Sequence, residues 1–236
     1  MLQKLKFSIS ATFFLTLSPL GFCDVKLPAI FSDHAVIQKD VQAPVWGWAE
    51  PNEEVTVKIG MQSQSTKAGA DGKWKVKLDK LSAGGPHTLE IKGKNTITIK
   101  DVLVGEVWLG SGQSNMAMTY SGYRNQPIAN AKEDIEKATE ESGIRMFNVD
   151  KTASNVPTNS IKGKWLLSNP KNLLSFSVVG YTYAQQLQKT LNCPVGIINS
   201  SYGGSTVEGW LNQTTVQKYT DYPASANIPD SVSHLR

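Results

Sequence analysis

Two apolar runs in this chain stop abruptly in glycine and serine, as strands that end in sharp turns. The first, Val102-Leu103-Val104-Gly105-Glu106-Val107-Trp108-Leu109, runs into Gly110-Ser111-Gly112-Gln113-Ser114-Asn115-Met116. The second, Pro194-Val195-Gly196-Ile197-Ile198-Asn199, runs into Ser200-Ser201-Tyr202-Gly203-Gly204-Ser205. Short runs rich in Val, Ile, Leu and Trp suit strands buried in a sheet. Between them, Val178, Tyr181, Ala184, Leu187 and Leu191 recur at threes and fours, the apolar stripe of a helix that Ser177 is placed to cap. Strand, helix and strand in that order predict a parallel α/β sheet with active loops at the carboxyl ends of its strands.

Residues 24–100 read differently. Val55-Thr56-Val57-Lys58-Ile59, Trp74-Lys75-Val76-Lys77-Leu78, Thr88-Leu89-Glu90-Ile91 and Thr96-Ile97-Thr98-Ile99 alternate with period two, which buries one face and wets the other. Turn signals separate them at residues 50–52, 70–73, 83–86 and 93–95. Short strands at this spacing predict an N-terminal β-sandwich-like module. Trp46, Trp48 and Trp74 read as core or inter-sheet packing, with a sugar-binding aromatic platform as the sharper alternative. His34 and His87, in the same module, read as surface or core histidines rather than ligands or bases. The chain thus divides into residues 1–23, 24–100 and 101–236.

At the end of the first run, Ser114 is a candidate nucleophile. Gly112 permits a sharp turn and a close substrate approach, and the Ser114 N–H would point into the same cavity as its own hydroxyl, as an oxyanion donor should. A plain strand followed by a Gly/Ser turn is the alternative. Gly203 and Gly204 offer a second oxyanion donor, or a tight turn needing positive φ. Gln113 and Asn115 are candidates to hydrogen-bond the substrate or the serine loop, and Asn199 is a candidate amide donor. Glu208 and Trp210 are candidates for the pocket rim or for support of the fold. Tyr120, Tyr123 and Arg124 either line a pocket or belong to a surface loop. Residues 130–141 are rich in helix formers and end at Ser142-Gly143, residues 144–149 read as a strand, and residues 151–164 as polar loop.

Gly112-Gln113-Ser114-Asn115-Met116 resembles the nucleophile block of the sialate O-acetylesterase family, within the SGNH (GDSL-like) serine hydrolases. Trp46-Gly47-Trp48-Ala49 with Pro51 resembles the family's N-terminal strand and turn, and Asp71-Gly72-Lys73-Trp74 its hairpin. Residues 194–205 resemble its second glycine block, and Trp210 follows in the family's place. The likeness runs from about Leu27 to about Leu211 in the family's order. It implies an α/β protein: the β-module followed by an SGNH-type, flavodoxin-like parallel domain. It implies a carboxylic-ester hydrolase that removes O-acetyl groups from sugars such as sialic acid, with Ser114 attacking and Gly203 or Gly204 holding the oxyanion. No cofactor is implied.

A serine hydroxyl needs a base, usually a histidine held by a carboxylate. In the resembled family that pair comes from a downstream Asp-x-x-His block, and a Gln-Gly-Glu stretch helps to build the site. Neither occurs here. Asp230-Ser231-Val232-Ser233-His234 has one residue too many and lies in a polar tail, so it reads as chance. The expectation is the N-terminal part of a longer esterase, making the SGNH-type domain incomplete. The alternatives are a non-catalytic carbohydrate-binding protein or an inactive fragment.

Composition narrows the partners. Setting aside Lys4 and Lys6 leaves 22 basic against 20 acidic residues, and no Lys/Arg cluster marks a nucleic-acid face. No His/Cys/Asp grouping has metal-ligand spacing. Residues 1–23 read as a cleavable signal peptide, with a basic start and a twelve-residue run at 7–18 too short to span a bilayer. A secreted or periplasmic protein without stable membrane insertion is expected. Lipidation at Cys23 is disfavoured by the bulk of Phe22. Cys193, before Pro194, reads as a buried inert thiol. The sequence carries no sign of oligomeric state.

Overall fold

The computed structural model describes residues 24–152, 158–216 and 218. The leader at residues 1–23 and the stretch around His234 lie outside the described residues. Seven strands come first: β1 (Val36–Gln38), β2 (Pro44–Trp48), β3 (Glu54–Ile59), β4 (Gln62–Lys67), β5 (Lys73–Lys77), β6 (Gly84–Lys92) and β7 (Thr96–Gly112). Then come α1 (Ser114–Ala117), α2 (Ala131–Lys137), β8 (Ile144–Val149), β9 (Gly163–Leu167), α3 (Pro170–Leu173), α4 (Val178–Leu191), β10 (Val195–Ser201) and α5 (Gln213–Val216).

The alternation expected in the first hundred residues produces its strands, but they do not stay apart from the rest of the chain. β4, β3, β6, β7, β10, β8 and β9 are neighbours in one sheet, and β1 joins it on β7; among the described residues only β2 and β5 pair separately. The link is β7, which continues without a break where the sequence pattern suggests a boundary near residue 100. Its first part pairs antiparallel with β6 and its last part parallel with β10. β10 is also parallel to β8, and antiparallel β9 closes the edge. This is a mixed α/β architecture with the expected parallel strands at its centre.

Side-chain alternation sorts the core. Val45, Trp74 and Val76 of β2 and β5 pack with Val55, Val57, Ile59, Leu89 and Ile91 of the larger sheet. Farther along, Ile144, Met146, Val195 and Ile197 face the helical side and meet Tyr181, Ala184, Leu173 and Phe176. Phe147, with Trp165 and Leu103, lies in a different cluster with Ala35 and Val36. The sheet's second face is therefore covered by the segment before β1 rather than by a helix. Gly196 permits that close approach: a Cβ there would stand 2.8 Å from Val36 Cβ and 3.0 Å from the Trp165 ring. Trp165 Nε1 donates to the Ile30 carbonyl at 2.8 Å.

Several local expectations change. Trp74 is buried as a core residue, but Trp46 is 37% exposed and Trp48 half-buried on the outer side of β2. Gly84 and Gly85 lie inside β6, beside a bulge, rather than in a turn. The helix expected over residues 130–141 stops at Lys137, because Ala138 turns extended and Thr139 caps a separate 3-10 turn. β9 begins inside the stretch expected as polar loop. The helix at 178–191 forms as expected, with Ser177 Oγ accepting from the Gly180 N–H at 3.0 Å. Cys193 is a buried free thiol. Among the described residues no helix is long and apolar enough to cross a membrane.

His34 forms a contact that has no signature in the local sequence. Its Nδ1 donates to Asp101 Oδ2 at 2.7 Å, and the same carboxylate accepts from Arg145 Nη2 at 3.1 Å. Asp101 thus ties the segment before β1 to β7 and to β8.

Candidate active site

The site is built where β7 and β10 end side by side. Their register runs Asn199 with Gly110, Ser200 with Ser111 and Ser201 with Gly112, and the Tyr202 N–H donates to the Gly112 carbonyl at 2.9 Å. Gly112 adopts φ +142°, a conformation rarely open to side-chain-bearing residues, and the chain turns there into α1. Ser114 is the first residue of that short helix, so its N–H has no intrahelical acceptor. Its side chain is half-buried at the surface, not shut in the core.

Gly203 comes from the other strand end. A Cβ added to it would sit 3.8 Å from Ser114 Cα and 3.8 Å from the Tyr123 hydroxyl, so the two glycine-ended loops face each other across Ser114. Gly204 has φ +83° and open space around it, as the turn residue of this loop. Of the two glycines named from sequence, only Gly203 has Ser114 within reach of such a Cβ.

The remaining candidates divide. The Ser114 hydroxyl donates to Gln113 Oε1 at 3.4 Å, and the Tyr123 hydroxyl donates to the Ser114 carbonyl at 3.2 Å. Tyr123 therefore buttresses the serine loop. Asn115 is exposed beside it. Asn199 is already engaged, donating to Asn148 Oδ1 at 3.1 Å and accepting from Ser201 Oγ at 2.7 Å. Trp210 Nε1 donates to Ser205 Oγ at 2.9 Å, which ties down the chain after the second glycine block. The backbone of Glu208 lies in the same 3-10 turn, Val207–Trp210. Tyr120 is buried, not pocket-lining: it reaches Asp134 at 3.3 Å, and burial pushes its hydroxyl pKa up to about 12. Arg124 is exposed.

Two neighbours carried no motif. Lys151, just past β8, lies over the Tyr202 ring at 5.3 Å and brings a cation beside the second glycine block. Asn148, at the end of β8, lines a hollow of about 380 Å³ with Asp150, Lys164 and Leu166. Only the fall of β8 alongside β10 could have singled them out. Neither His34 nor His87 reaches this end: His87 pairs in register with Val102, and His34 contacts Asp101, both ten or more residues upstream of Gly112 on β7. Among the described residues no group of His, Cys, Asp and Glu could hold a metal ion.

The fold is α/β, and its candidate site is a half-buried hydroxyl at one strand end, faced by a bare glycine from the parallel neighbour at the carboxyl edge of the sheet. Comparison with known proteins narrows this. The chain is 30% identical to the sialate O-acetylesterase of Homo sapiens, an alignment covering 91% of this chain and 43% of that protein, and matches that of Pongo abelii to the same extent. The crystal structure of a carbohydrate acetylesterase from Xanthomonas citri superposes with a TM-score of 0.77 at 35% identity, covering 82% of this chain and 43% of that one. No protein-family model matches the chain. The chain is similar to sialate O-acetylesterases, and it spans less than half the length of the curated relatives it matches.

Proposed function

We propose that the chain is the nucleophile-bearing part of an esterase that removes O-acetyl groups from sugars, sialic acid among them. The observation that carries this reading is the meeting of the two glycine-ended loops, with Gly203 against Ser114. Ser114 Oγ attacks the acetyl carbonyl carbon and gives up its proton to a base. The tetrahedral oxyanion is held by the N–H groups of Ser114 and Gly203. Collapse expels the sugar oxygen, which takes the proton, and leaves an acetyl ester on Ser114; water then gives a proton to the base and attacks that ester, and collapse releases acetate and returns the proton to Ser114 Oγ. The smallness of Gly203 leaves room for the acyl group. The base comes from a downstream Asp-x-x-His block, as the family resemblance implies. The names of the relatives support an acetylated sugar as substrate, and the sialate O-acetylesterases among them support sialic acid. The leader-like residues 1–23 support an exported protein.

Acetate release from O-acetylated sialic acid, measured with Ser114 and with Ser114→Ala, tests the assignment. A loss of about a thousandfold or more in the variant is expected. Equal turnover in the two proteins refutes the nucleophile. A chain that is silent alone but active once joined to a segment bearing Asp-x-x-His locates the base there. A chain still silent when so joined refutes the esterase.

A further inference from the structure

A further hollow lies away from Ser114. It is an open groove of about 570 Å³ on the outer side of β2 and β5, lined by Pro44, Trp46, Trp48, Lys73, Lys75 and Asn159. The two strands alternate, so Val45 and Val76 turn into the core while the two tryptophans and the lysines turn out. The antiparallel register sets Trp46 opposite Lys75 and Trp48 opposite Lys73. Each tryptophan therefore has a lysine as its cross-strand neighbour.

Packing does not require this arrangement. The core beneath is completed by the inward residues, and Trp46 stays 37% exposed. Its ring is held edge-on by Phe31 at a centroid distance of 4.8 Å, so it is presented in one orientation. Trp74 borders the same groove, and its indole nitrogen is buried without a hydrogen-bond partner. Lys73 pairs with Asp71 at 3.1 Å, whereas Lys75 has no carboxylate partner among the described residues.

We propose that this face is a second binding site, separate from the Ser114 site, for a carbohydrate carrying carboxylates. A pyranose has an apolar C–H face and a polar rim. A flat, oriented indole suits the first, and ammonium groups beside it suit the second. The unpaired charge of Lys75 selects an acidic sugar over a neutral one. The groove lies on the separate β2–β5 pair, so binding is independent of Ser114 and of the esterase reading.

Calorimetric titration of the full chain with polysialic acid and with polygalacturonate tests this, with dextran and polyglutamate as comparisons. Binding of at least one acidic glycan is expected, weakened about tenfold by Trp46→Ala and by Lys75→Glu, and unchanged in Ser114→Ala. Lys75→Glu alters an exposed, unpaired side chain, so it remains informative if Trp46→Ala misfolds. Four outcomes overturn the proposal: no acidic glycan bound, dextran bound equally well, polyglutamate bound equally well, or binding indifferent to Lys75→Glu. Self-association of the chain that is lost in Trp46→Ala would assign the face to a second copy instead and overturn it too.

Discussion

Gly112 and Gly203 both border Ser114, yet they are glycines for different reasons. Gly112 sits at φ +142°, so a side chain there strains the backbone. Gly203 has no such strain, and a methyl group would meet only ordinary contacts at 3.8 Å. Gly112→Ala is therefore expected to cost on the order of 1–3 kcal/mol in urea unfolding, while Gly203→Ala stays within about 0.5 kcal/mol of the parent. If the esterase reading holds, Gly203→Ala still slows acetate release, because the methyl group points at the serine. A second residue-scale effect concerns pH. Burial raises the Tyr120 pKa from 10.0 to about 12, so the folded state holds that proton more tightly than the unfolded chain. Its contribution is complete below about pH 10 and is lost as pH rises from there through about 12. Tyr120→Phe should flatten the decline of stability over that window, read as the denaturation midpoint against pH. At this scale the glycine blocks and Ser114 were legible because glycine and serine break an apolar run. The Lys151–Tyr202 contact was not, because nothing local ties a lysine after one strand to a tyrosine after another.

Elements were legible in proportion to their apolar periodicity. α4 forms with the expected bounds because a full apolar stripe and a capping serine agree. Ser177 is fully buried and its Oγ accepts from Gly180. Ser177→Ala is expected to destabilise by about 1 kcal/mol, measured by urea unfolding, with Ser177→Asp recovering less than its capping strength because the site is buried. β4, Gln62-Ser63-Gln64-Ser65-Thr66-Lys67, has no apolar residue to betray it. It is a strand because β3 offers it a complete antiparallel ladder from Glu54–Lys67 to Ile59–Gln62. The sequence of β7 reads as two strands because Lys100-Asp101 interrupts the apolar pattern, and hydrogen bonds to neighbours on both sides carry it through.

At the scale of the whole molecule, the continuous sheet and the Asp101 contact bind the two halves that the sequence pattern separates. Arg145 is buried, and Asp101 is its carboxylate partner at 3.1 Å. Asp101→Asn keeps a residue that tolerates its left-handed φ of +54° while removing the charge. It should cost about 1–3 kcal/mol in thermal or urea unfolding, because a buried guanidinium loses its counter-charge. His34→Ala should cost less, since it leaves the Arg145 pair in place. If unfolding instead becomes biphasic in Asp101→Asn, the contact is what makes the halves cooperate.

By itself the sequence determined the strand and helix periodicities, the helix cap, and the two glycine-serine strand ends, because each depends on residues near one another in the chain. Tertiary structure alone decided that those ends meet, that β7 serves both halves of one sheet, that the segment before β1 covers a sheet face, and that Trp46 and Lys75 stand together on the outside. Such facts depend on register between distant strands. Register is fixed by ladder hydrogen bonds and by which faces find a common core, not by any local pattern.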